Sequence, residues 1–297
     1  MFHPDPDKDP TPPAQPPHHR WRRVFAWIGG VVLLLIVLVA ITIVVLLHSQ
    51  RFHNYVLAKV NSIATQKLGA QVDVQNYVLH FSPLGLDVYG VTVHGANPYP
   101  DPPVLQLQHA HVGVRIVSLL SRKWYLSDVT LNHPVVQVLV DKNGVSNIPK
   151  PKPGNSKSST TIWDLGIRHT LLDQGDIYYN GQATPLYADL HNLNLHAAYD
   201  VARTMYSGEL QYTNGRVVFG AYQPFQHDFD ATFAVSPSTF ELTKAELKGP
   251  AAQVDLVDTV TNFSNPRIQA KYNIALNGAQ AAKLLNNPSI PAGAVEG

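Results

Sequence analysis

Residues 127–149 read SDVTLNHPVVQVLVDKNGVSNIP. Val129, Leu131 and Val135 are apolar at odd positions, as in a strand with one greasy face. Past His133-Pro134 the apolar set moves to even positions, Val136, Val138 and Val140. A proline inside a sheet is confined to edges or bulges, and one extra bulge residue shifts the alternation by one. The stretch therefore predicts a strand with a bulge at Val135-Val136, after which DKNG reverses the chain. Similar slips stand near Gly90 and near His191-Asn192. Repeated bulges bend and twist a sheet, so the pattern predicts a long, curved sheet that is apolar on its concave side.

The same period of two runs through most of the chain beyond Gly69. Val112, Val114 and Ile116 alternate in HVGVRI; Phe225, Phe229, Ala231, Phe233 and Val235 in FQHDFDATFAV; Ile268, Ala270, Tyr272, Ile274 and Leu276 in IQAKYNIAL. Asn143-Gly144, Asn180-Gly181, Asn214-Gly215 and Asn277-Gly278 read as turns between strands. No long helical pattern intervenes, which predicts an antiparallel meander rather than parallel βαβ units.

The N-terminal part is of a different kind. Residues 24–47 carry no charge over 24 positions, enough for a helix roughly 36 Å long against a hydrocarbon core of about 30 Å. A cleaved signal has a shorter apolar region, so this run reads as a retained signal-anchor. Arg20, Arg22 and Arg23 precede it and Arg51 alone follows closely, which places the N-terminus in the cytoplasm and the bulk across the membrane. Val56, Val60, Ile63 and Ala64 then fall at helical spacing before Gly69, a short amphipathic helix.

The fold class read from these patterns is mainly β: a transmembrane helix and a short amphipathic helix, followed by a long, curved, groove-like antiparallel sheet. The divisions are a disordered, proline-rich cytoplasmic tail (1–23), the anchor (24–47), the amphipathic helix (48–69), a first β block (70–150), a polar linker (151–161), a second β block (162–280) and a flexible tail (281–297).

Composition narrows the function. Cysteine is absent, which excludes disulfides, thiolate metal sites and a cysteine nucleophile. Past residue 50, 18 Lys and Arg stand against 18 Asp and Glu, without the basic stripe of a nucleic-acid surface. No Walker loop, G-x-S-x-G elbow, H-E-x-x-H or G-x-G-x-x-G is present. His109 and His111 share one face of a strand and would suit a metal, but no second pair of ligands is spaced to complete it, so they read as a wetted face. Asp173 and Asp176 could be paired carboxylates; the plainer reading is a turn at Gly175. No catalytic residue, cofactor site or metal site is assigned, and the chain is read as a non-enzyme. The candidate surface is the apolar one: Val112, Val114, Ile116, Phe225, Phe229, Phe233, Val235, Ile268, Tyr272, Ile274 and Leu276, either as a groove or as an ordinary closed core.

The order of motifs in residues 114–151 resembles the opening of the AsmA-like family, including its TamB-like members. Ser118, Leu119 and Leu120 are followed by a strand, then Leu131 and Pro134, an apolar strand, Asp141 and Gly144, and Asn147 and Pro149. The second block is similar too, with Gly175 before a strand and ADLHNLNL after it. The resemblance implies anchoring in the bacterial inner membrane with the bulk in the periplasm. It also implies a β-rich groove in which lipid acyl chains travel toward the outer membrane. The partners implied are membrane lipids and, alternatively, outer-membrane proteins or other envelope components whose strands would pair with sheet edges.

Overall fold

The computed structural model describes residues 49–115, 126–150, 163, 166–261, 263 and 265–297. The expected cytoplasmic tail and anchor (1–47), with Arg20, Arg22 and Arg23, the linker (151–161) and Ile116 lie outside the described residues. The chain divides into two units, Met1–Val56 and Leu57–Gly297. Of the first, residues 49–56 are described, and from Gln50 they form the start of helix α1 (Gln50–Leu68). Neither described helix is long and apolar enough to cross a membrane.

The second unit carries a single sheet of twelve strands whose spatial order is their order in the chain. These are β1 (Val72–Phe81), β2 (Leu84–Val93), β3 (Leu105–Val114), β4 (Leu126–Val140), β5 (His169–Gly181) and β6 (Leu186–Asp200). They continue as β7 (Met205–Phe219), β8 (Phe225–Val235), β9 (Thr239–Lys248), β10 (Ala252–Thr261), β11 (Arg267–Asn277) and β12 (Ala294–Glu296). Helix α2 (Gly278–Leu284) lies between the last two strands. The first and last strands are not paired, so the sheet is open.

The sheet is not wholly antiparallel: β4 and β5 run parallel, Leu131 beside Leu172 and Val136 beside Ile177. This corrects the expected meander. A parallel pair needs a connection of a dozen or more residues to bring the chain back, and residues 141–168 supply that length. Through that pair the two β blocks form one sheet.

The phase slip beside Pro134 is not the expected one-strand bulge. His109 faces Asn132 and Leu107 faces Pro134, so β3 and β4 keep their register across it. Instead, His133 takes a left-handed backbone (φ 50°), and Gln108 is passed over opposite it. The same step of three between apolar residues occurs in Val74–Tyr77, Val88–Val91, Leu107–Ala110, Leu131–Pro134, Leu172–Gly175, Leu190–Leu193 and Tyr212–Gly215. Left-handed residues sit in five of these steps: Gly90, His133, Gln174, Asn192 and Asn214. A kink matched by its neighbour changes the facing of both strands at one level and preserves their pairing. Near Gly90 the register is likewise unbroken. Near His191-Asn192 it does shift, as expected, and further shifts follow in β7, β8 and β10. Val135, grouped by parity with Val129 and Leu131, falls on the other face, between Gln106 and Asp176.

The β1 edge is blunted by α1. Val72 N donates to Thr65 Oγ1 at 2.9 Å and Val74 N to Asn61 Oδ1 at 3.0 Å, satisfying edge donors that would otherwise invite another strand. At the other edge β12 covers only Ala275–Asn277. The chain end, expected as a flexible tail, holds α2, capped by Asn277 Oδ1 accepting from Gln280 N, and β12.

Candidate functional site: one continuous apolar face

Directly opposed residues in neighbouring strands point to the same side of a sheet. One such row crosses eleven strands: Tyr77, Val88, Ala110, Leu131, Leu172, Leu195, Leu210, Ala231, Ala245, Leu256 and Tyr272. Every member is apolar or a tyrosine. Parallel to it run Phe229, Leu247, Val254 and Ile274, and also Val235, Phe240, Val260 and Ile268. In sequence the set changes parity at every kink, and in space it never leaves its face.

Ten of the eleven expected groove residues are described, and the register gathers them on this face. Val112 faces Leu86 and Val129, and Val114 faces Leu126. Phe225 faces Val217, Phe229 faces Tyr212, Phe233 faces Leu242 and Val235 faces Tyr206. Ile268, Tyr272, Ile274 and Leu276 face Val260, Leu256, Val254 and Ala252. The groove residues read from the sequence left out the contributions of β1, β2, β4, β5, β6, β7, β9 and β10. The available signal was the step of three itself, which recurs wherever a strand crosses the kink line.

Among the described residues no second layer packs on this face. The extensive contacts between elements are those of hydrogen-bonded strand neighbours, with α2 against β11. Among the described residues nine apolar side chains are buried, and five are alanines (Ala70, Ala110, Ala231, Ala245 and Ala251). A closed core of this size would bury Leu, Ile and Phe in number. Yet the two faces differ. Along β7, Tyr206 is buried and Gly208, Leu210 and Tyr212 half-buried, whereas Ser207, Glu209, Gln211 and Thr213 on the other side are exposed. At the β11 edge Ile268 and Tyr272 are each 67% exposed.

Polar groups interrupt the face at His227 and Asp258. His227 is buried at 6% exposure opposite Gly215, stacked on Phe225 and hydrogen-bonded to the Tyr212 hydroxyl at 2.9 Å. Burial lowers its pKa, so it stands as a neutral ring that the tyrosine satisfies. Asp258, between Leu242 and Ala270, keeps one carboxylate oxygen buried without a hydrogen-bond partner.

The opposite face holds the histidines that drew attention in the sequence. Asp87 on β2 faces His111, and its carboxylate meets three imidazoles: His80, His109 Nε2 at 3.0 Å and His111 Nδ1 at 2.6 Å. Burial raises the Asp87 pKa; the hydrogen bonds from His109, His111 and His80 outweigh it and bring it from 3.8 to about 2. Asn132 holds His109 Nδ1 at 2.8 Å, which leaves Nε2 to carry the proton shared with Asp87. His111 also reaches Asp128 through Nε2 at 3.1 Å, so its ring bridges two carboxylates. The cluster ties β1 to β4, and among the described residues no group of His, Asp or Glu is arranged to hold a metal ion. Asp173 and Asp176 lie inside β5 rather than in a turn; Gly175 marks a register shift, and Asp176 pairs with His191 at 3.1 Å.

The described strands thus form an open sheet with one apolar face and a mostly polar back. The family model of the AsmA family matches residues 18–254, and the chain belongs to that family. No curated protein matches it.

Proposed function

We propose that this AsmA-family protein carries lipid acyl chains along the apolar face of its sheet. In this reading it is held in the inner membrane by residues 24–47, with its bulk in the periplasm, and takes part in phospholipid transfer and outer-membrane lipid homeostasis. The observation that carries the reading is the unbroken apolar row across eleven strands, with no packed layer over it among the described residues. The unequal exposure of the two faces supports a sheet bent toward its apolar side. In a single layer, side chains inside a bend shelter one another.

The energetics suit the task. Each CH₂ in water costs about 0.8 kcal/mol, so an acyl chain of about 16 carbons costs roughly 12 kcal/mol to move through water. That is more than eight powers of ten in population. A continuous apolar trough removes most of the cost while leaving the headgroup in solvent. It requires no bond to be made or broken, and we read the protein as a carrier rather than an enzyme. Mass spectrometry of the full chain purified in mild detergent tests this: bound phospholipid is expected, and a folded, lipid-free protein would contradict it.

A second reading, assistance to outer-membrane protein assembly, rests on the β11 edge. Ile274 exchanges backbone hydrogen bonds with Gly297. By alternation, the groups of Tyr272, Ala270 and Ile268 point outward beyond that pair, able to accept a client strand. Crosslinks from these positions to a β-barrel protein, without lipid adducts on the face, would favour it.

A further inference from the structure

Helix α1 wears its amphipathicity the wrong way round for a helix of a soluble protein. Its Asn61 and Thr65, four residues apart, face the sheet and hold the β1 edge. Two positions earlier on the wheel, and so about 200° away, Lys59, Ile63 and Lys67 form the outward stripe with Val60 beside it. Val60 is 44% exposed and Ile63 46%, and both lysines are exposed. A helix that packs on its protein normally turns polar residues to water and apolar ones inward. Here the polar pair is consumed by the sheet edge and the apolar pair is turned out between cations. Across residues 50–68 there are Arg51, Lys59 and Lys67 and no acidic residue. The 24-residue apolar run ends at Leu47, three positions before the helix begins.

We propose that the Lys59, Val60, Ile63 and Lys67 face of α1 lies on the surface of an anionic phospholipid bilayer. Lysines flanking aliphatic side chains match such a surface: the ammonium groups reach the phosphates while Val60 and Ile63 enter the boundary with the acyl chains. The contact would fix the first strand of the sheet at the membrane, because the same helix caps the β1 edge. The inference rests on the anchored reading above, and it is independent of whether the trough carries lipid.

The absence of cysteine makes the test direct. The full chain is reconstituted in vesicles of phosphatidylcholine with or without phosphatidylglycerol, carrying an environment-sensitive fluorophore at Ile63→Cys or, as control, at Ala58→Cys on another side of α1. With phosphatidylglycerol present, the Ile63 label shifts to the blue and is quenched by spin-labelled lipid, and the Ala58 label is not. Lys59→Glu with Lys67→Glu reduces the quenched-to-unquenched ratio by at least roughly thirtyfold, the equivalent of about 1 kcal/mol per lost cation. An unquenched Ile63 label overturns the proposal, including one protected from water by a protein partner. Equal quenching at both positions, or quenching indifferent to phosphatidylglycerol and to the lysines, overturns it as well. Lipid adducts on the sheet face are read separately, so failure here and failure of the carrier reading are distinguishable.

Discussion

At the scale of single residues, conformation and charge each do work that composition hides. Asp87 holds three histidines and is depressed to about 2 from 3.8. A carboxylate with a lowered folded pKa stabilises the protein fully above its unfolded pKa and loses that contribution as pH falls toward the folded one. Acid unfolding curves should therefore show a stability loss between about pH 4 and pH 2 that Asp87→Asn flattens, measured by thermal denaturation across that range. Gly90 has φ 61°, and a Cβ there would collide with the Gln75 side chain. Gln75 can swing away, so the cost lies mainly in the backbone: Gly90→Ala should lower stability by about 1–2 kcal/mol in denaturant titration. Such roles were only partly legible in the sequence. The wetted histidine face could be read from His109 and His111, but His80 and Asp87 join them only through the β1–β2 hairpin and the register of β2 on β3.

At the scale of elements, the period of two was legible and its punctuation was not. Asn214-Gly215 reads as a turn, yet it lies within β7, where left-handed Asn214 makes a bulge and Gly215 makes room opposite His227. Asn277-Gly278 reads as a turn and instead caps α2. At Asn143-Gly144 the chain reverses, on a loop in which Asp141 Oδ1 accepts from Asn143 N and Val145 N, and Asn180-Gly181 closes β5 just before the turn at 182–185 into β6. Two of the pairs spend a left-handed backbone, Gly144 in a turn and Asn214 in a bulge, whereas Asn277 is extended and acts through its side chain. The parallel β4–β5 pair was hidden because pairing direction depends on where a long connection returns, which local pattern does not encode. The α1–β1 contact yields a prediction at this scale. Asn61→Ala with Thr65→Ala removes two acceptors from edge amides, costing about 1 kcal/mol each. Hydrogen exchange at Val72 and Val74 should accelerate, with little change in β6 and β7.

At the scale of the sheet, separate strands become one surface. Strands β1 to β11 contribute apolar side chains to one side, and the shared kink line keeps them there while β1 to β7 change parity. A sequence reader following strict alternation loses the face at every kink, which is why β8 and β11 were read clearly and β6 and β7 were not. The surface predicts that Phe229→Asp and Phe233→Asp, made together, sharply reduce co-purified phospholipid while circular dichroism stays near the parent. Each carboxylate would sit across the path of an acyl chain, and both phenylalanines are only half-buried, so the sheet can tolerate the change.

Photocrosslinking tests the central claim most directly. A benzophenone amino acid is placed singly at Leu195, Leu210 and Phe229 on the apolar face, and at Glu209 and Gln211 on the polar one, in the full chain within native membranes. The account predicts phospholipid adducts at the first three positions and none at the other two. Adducts absent from the apolar face, or equally abundant on both faces, would contradict it.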